Sequence, residues 1–128
     1  ISYKEVQNKM FDYKSAGITD DDQITKGLMM EEKHKEFDQS QIISIMKNAN
    51  KISDDTILDD KKRNSYRESV KAKYGDKAGE QFTGLVAEAK GLDKFYNKKI
   101  SEEKVAHKNM IIKQNKRKKE DKIWSTKN

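Results

Sequence analysis

The chain has 128 residues, which suits one domain whose folding buries roughly two thirds of the surface that the unfolded chain exposes. Charged residues make up 39% and apolar ones 33%, against about 25% and about 45–50% in ordinary globular proteins, so much of the chain must form solvated faces. With no cysteine there can be no disulfide, no thiol catalysis and no Cys-type zinc site. No apolar run approaches the ~18 residues of a membrane span.

There are no prolines and only six glycines, so helices can run long and loops must be short. No N-terminal stretch has the form of a signal peptide. Ile1 in place of Met fits a processed product or a piece of a longer chain. The chain reads as soluble; lack of cysteine leaves the compartment open, with the cytoplasm slightly favoured. The net charge of +6 is unevenly spread. Residues 1–60 hold 8 Lys against 13 Asp and Glu, a net −5, and residues 61–128 hold 20 Lys and Arg against 9 acids, a net +11. Such an imbalance suits a polyanion-binding half, or two halves that attract each other. A Lys/Asn-rich composition from an AT-rich genome explains it equally well.

In chain order, residues 1–17 predict a first helix. Ser2 caps it, Glu5 closes a capping box, and Ile1 and Val6 form a hydrophobic staple. Val6, Met10 and Tyr13 share a face with Tyr3 beside it, and Gly17 is the stop. Ile18-Thr19 opens a second helix with Asp20, Asp21 and Asp22 in its first turn, where carboxylates suit the helix dipole. Ile24 and Leu28 line its buried side, extended by Met29 or Met30. Gly27 weakens the helix by about 1 kcal/mol relative to Ala, or admits a neighbour closely.

Phe37 to Ala49, FDQSQIISIMKNA, is the densest apolar run. Asp38 at the N-cap and Gln41 at N3 form a capping box, with Phe37 and Ile42 as the staple. Ile42, Met46, Ala49, Ile45 and Ile43 span an arc of about 160°, too wide for one neighbour, so this helix is expected at the centre of a bundle. Ile52-Ser53 starts a short helix through Ile57 and Leu58. A continuation or a restart at Asp59 or Asp60 carries Tyr66, Val70 and Tyr74 on one stripe as far as Gly75. Asp76 then caps a helix whose inner face is Phe82, Leu85, Val86 and Ala89, ending at Gly91. Leu92, Phe95 and Tyr96 fit either a helical turn or a packed loop. Ile100-Ser101 opens the last helix, in which Val105 and Ile112 align. From Lys113 the pattern dissolves into KQNKRKKEDK, with Lys116 and Lys119 at the stripe positions before Ile123.

No constellation of reactive groups emerges. His34 and His107 each sit in a Lys-rich helix and read as solvated surface residues. The Asp20–Asp22, Asp54-Asp55 and Asp59-Asp60 clusters fail the EF-hand spacing and read as helix starts. Gly79 and Gly84 have P-loop spacing, but Leu85-Val86 replaces the Lys-Ser/Thr that a phosphate cradle needs. Lys51 to Ile57 partly matches the turn of a helix-turn-helix: Ile52, Ser53, Thr56 and Ile57 fit, whereas Lys47, Lys51 and the aspartates do not. A plain helical hairpin is the simpler reading.

The fold expectation is all-α: a compact bundle of five to seven short helices over residues 1–112, with a protruding basic C-terminal helix over 113–128. The function expected is non-enzymatic, a helical interaction module that binds a protein partner or self-associates. Ile123 and Trp124, a lone Trp beyond a charged spacer, are the contact residues. The alternative is a nucleic-acid-binding regulatory or accessory protein using its basic half. Its residues would be Lys61, Lys62, Arg63, Arg67 and Lys71, then Lys113, Lys116, Arg117, Lys118, Lys119 and Lys122. No cofactor, metal or small-molecule substrate is implied.

Overall fold

A computed structural model describes residues 2–127, and their side chains as far as Trp124. Every regular element among them is a helix. They are α1 (Tyr3–Ser15), α2 (Asp21–Lys33), α3 (Gln39–Lys51), α4 (Asp55–Leu58), α5 (Asp60–Tyr74), α6 (Asp76–Ala89) and α7 (Asp93–Lys127). Packing divides the chain into a compact unit, Ile1–Tyr96, and a second, Asn97–Asn128. That division falls earlier than the 112/113 boundary drawn from the fading apolar stripe.

The helix starts follow the chemistry of side-chain caps. At α3 the capping box is complete: Asp38 Oδ1 accepts the Gln41 N–H at 2.9 Å, and Gln41 Oε1 accepts the Asp38 N–H at 2.9 Å. The hydroxyl of Ser40 and the Gln41 N–H hold the exposed Asp38 carboxyl below its ordinary value. Ser2 and Asp59 cap α1 and α5 by accepting the Glu5 and Lys62 N–H, but the return bond expected from Glu5 is not among those of the described residues. Ile1, assigned to a staple with Val6, lies outside the described residues. α2 is capped by Asp20 rather than Thr19, because the Asp20 carboxylate reaches the Gln23 N–H. Asp76 does not cap α6. Gly75, at φ 93°, occupies the N-cap, and Asp76 is the first helical residue. α6 closes in a Schellman turn, with Leu92 N–H donating to Ala87 O at 2.8 Å and Gly91 N–H to Glu88 O at 2.9 Å.

In the first unit the core lies between α2, α3 and α6. α3 buries Ile42, Ile45, Met46 and Ala49. α6 is no less central: it packs against α5, α3 and α2, and Thr83, Leu85, Val86, Ala87 and Glu88 are all buried. α1 reaches this core through Tyr13, which is fully buried and whose hydroxyl donates to Glu31 at 2.8 Å. Burial first, then that carboxylate, push the Tyr13 phenol far above its ordinary value. Gly27 admits the ring, since a Cβ there would lie 2.5 Å from Tyr13 Cε1. Met30 is buried and Met29 exposed; Tyr3, expected near the α1 face, is also exposed.

α4 is a single turn, and the chain is extended at Asp59 (ψ 129°) before α5 begins. A recognition helix would have to run through that break, so the segment is not a helix-turn-helix reader. On α5, Val70 is buried, Tyr66 half-buried and Tyr74 exposed, stacked on Phe82 at 5.3 Å. Among the described residues the Tyr66 hydroxyl is buried with no hydrogen-bond partner, and burial raises its phenol. Tyr66→Phe is therefore expected to stabilise the protein by about 1 kcal/mol in urea unfolding. A loss of stability would show that the hydroxyl makes a needed bond. Beyond Gly91, α7 runs unbroken from Asp93, so Ser101 lies inside a helix and does not start one.

Candidate interaction surfaces

The basic residues divide into two groups with different fates. In the 61–73 run, Lys61 and Lys62 are exposed, and Lys62 lies 4.0 Å from Asp55. Arg63, assigned to nucleic acid by its place in the run, is 2% exposed. Its Nη1 donates to Ile57 O at 2.8 Å, its Nη2 to Asp60 at 2.6 Å, and its guanidinium lies 5.7 Å from the Phe95 ring centre. A charge so held is a structural tie between α4, α5 and the first turn of α7, and no phosphate can reach it. Arg67 is half-buried and donates to Asn64 at 3.0 Å. Lys71 is also half-buried, paired with Glu80 at 3.2 Å and Glu68 at 3.7 Å. Folding thus spends most of this run on intramolecular contacts.

The second group is different. Residues 97–128 carry 11 Lys and Arg against 4 Asp and Glu, a net +7, while residues 1–96 carry 17 against 18, a net −1. The surplus positive charge of the chain therefore belongs to α7. Lys113, Lys116, Arg117, Lys118, Lys119 and Lys122 are all exposed. At about 100° per residue they point all round the helix rather than to one side. Ile123 and Trp124 are exposed as well, Trp124 at 67%. So are Val105, Met110, Ile111 and Ile112. On this unit the side chains of Lys98, Ser101, Glu102, Val105, Ala106 and Asn109 outline a shallow, mostly apolar hollow along one helix face.

Two features of the first unit have no local signature in the sequence. The first is a groove of about 260 Å³ with Phe37, Ile45, Tyr74, Phe82 and Leu85 on its walls and Gln41, Ser44 and Gln81 at its edge. The aromatic positions were legible, but as core stripe and staple residues. The second is an ionic cluster. His34 Nε2 lies 2.8 Å from the buried Glu88 carboxylate, and Lys33 Nζ lies 3.1 Å from it. His34 is thus not the solvated residue its Lys-rich surroundings suggest; it joins the end of α2 to α6. The signal was Glu88 itself, placed next to the inner-face residue Ala89.

Among the described residues no group of three or more His, Asp or Glu is placed to hold a metal ion. No helix among them is long and apolar enough to cross a membrane. His107 is exposed on α7, in the second unit. Compared with known protein families, with curated proteins and with solved structures, the chain matches none.

Proposed function

We propose that the chain is a non-enzymatic helical interaction module whose α7, from Asn97 onward, binds a protein partner, with Ile123 and Trp124 as anchors. One observation carries this reading: Val105, Met110, Ile111, Ile112, Ile123 and Trp124 are all exposed along that helix. Large apolar side chains on a soluble surface are stable but costly to hydrate, and several on one element mark a site that a partner covers. Polyanion binding alone gives them no role.

The second reading, nucleic-acid binding, draws its support from the exposed cations of Lys113–Lys122 alone, since the 61–73 run is largely committed within the fold. A photo-reactive phenylalanine in place of Trp124 separates the two in cells of the native source. The expected result is a discrete protein adduct that the same group in place of the exposed Lys61 does not give. Adducts removed by nuclease would make nucleic acid the lead. So would duplex binding at ~50 mM salt that weakens steeply with added salt and drops in a chain ending at Ile112. Identical adducts from both positions would overturn both readings of α7.

A further inference from the structure

One arc of α7 carries its two apolar ends and part of its cationic run, although charged side chains stand on every face of the helix. Taking about 100° per residue, Val105, Ala106, Ile112, Lys113, Lys116, Arg117, Ile123 and Trp124 fall within an arc of about 140°. Along that arc the chemistry changes twice. Val105, Ala106 and Ile112 make an apolar stretch that continues the hollow beside Asn109. Lys113, Lys116 and Arg117 follow, with Glu120 on the same arc beyond them, all exposed. Ile123 and Trp124 then restore apolar surface, 51% and 67% exposed.

Resting on the reading of α7 as the protein-binding element, we infer that its occupant is an acidic amphipathic helix that sets carboxylates between two apolar anchors. Charge complementarity fixes the centre. Three cations against the single Glu120 leave this part of the arc positive, which favours carboxylates, and the Arg117 fork suits a bidentate carboxylate. Geometry fixes the ends: Ile112 and Ile123 are about 16 Å apart at 1.5 Å per residue, so the partner's anchors need the same spacing. A second copy of α7 meets this charge less well: in parallel it sets Lys113, Lys116 and Arg117 against like charges, and only an antiparallel register with Lys116 opposite Glu120 relieves this. A nucleic acid would use cations on every side of the helix and leave the apolar ends uncovered.

Trp124 is the only tryptophan of the chain, so its emission reports the site directly. The probe is a helical peptide with leucine pairs bracketing three glutamates on one face. The full chain is expected to bind it with a saturating blue shift of Trp124 emission, and with affinity that falls as salt rises. Lys116→Glu with Arg117→Glu should weaken binding about tenfold or more, with far-UV circular dichroism confirming that the helix is retained. Equal binding of a peptide with the glutamates moved to the opposite face would overturn the proposal. So would equal binding of polyglutamate or of a random duplex, absence of any blue shift, or sedimentation showing that the chain covers this arc by self-association. If the peptide fails while the photo-reactive group at position 124 still captures a protein, only the acidic-helix inference falls. If both fail, the reading of α7 falls with it.

Discussion

Gly79→Ala is expected to lower the unfolding free energy by about 2 kcal/mol, although alanine is the better helix former by about 1 kcal/mol. A Cβ at position 79 would lie 2.6 Å from Lys71 Cα and 2.7 Å from Lys71 N. Those atoms are backbone in the last turn of α5, and no rotamer change moves them aside. α5 and α6 would have to separate, loosening Val70 and the Tyr74–Phe82 stack together. Gly84 supplies the control on the same helix. Its added Cβ would meet Tyr96 Cε1 at 3.5 Å, an ordinary contact, so Gly84→Ala should be neutral or stabilising by up to about 1 kcal/mol. Urea midpoints of the two variants decide the matter. If Gly79→Ala is as stable as the parent, the helices do not approach this closely.

Arg63→Ala is expected to cost about 3 kcal/mol. The substitution opens a cavity under α4 and leaves Ile57 O, on a fully buried residue, without the donor at 2.8 Å. Arg63→Met refills the space and removes the charge, so its loss should be smaller, about 1–2 kcal/mol, chiefly the unmet carbonyl. Thermal unfolding of both variants, with Lys61→Ala as an exposed reference, measures the difference. Equal stability of Arg63→Ala and Lys61→Ala would mean that position 63 is solvated after all.

The fold was legible where its causes are local. The Asp38–Gln41 capping box and the stops at Gly17, Gly75 and Gly91 depend on residues a few positions apart, and they stand where the spacing put them. The choice of caps slipped by one position at Asp20 and Gly75, where two neighbouring residues could each serve. The burial of Arg63 was not legible. A guanidinium in a basic run looks solvated until α4 folds back and offers a carbonyl. His34 and Glu88 meet across 54 positions, a distance no periodicity spans. Thr83 and Ala87 carry little hydrophobic signal, so the burial of the second half of α6 was hidden by their small size. Ile100-Ser101 resembled a helix start only because its composition matches one. The absence of any glycine after Gly91 and of any proline was the better guide to one unbroken helix. Of the candidate site, the cations of α7 and the Ile123-Trp124 pair could be named from the sequence. Which basic residues the fold consumes could not.

The separation of the chain at Tyr96 means that the stability changes expected at Arg63, Tyr66, Gly79 and Gly84 belong to the first unit, and that no single unfolding free energy describes both units. Tyr13, Ile42 and Val86 share one core, so their surroundings gain or lose order together. The turns of α7 past Asn97 rest on local terms: backbone hydrogen bonds, side-chain propensity and pairs such as Lys99 with Glu102. Helicity there is graded rather than all-or-none, and it answers to ionic strength and to whatever lies alongside. A ligand that settles on this stretch gains part of its selectivity from the ordering it must complete, so two partners with equal contacts are distinguished by how much helix each requires.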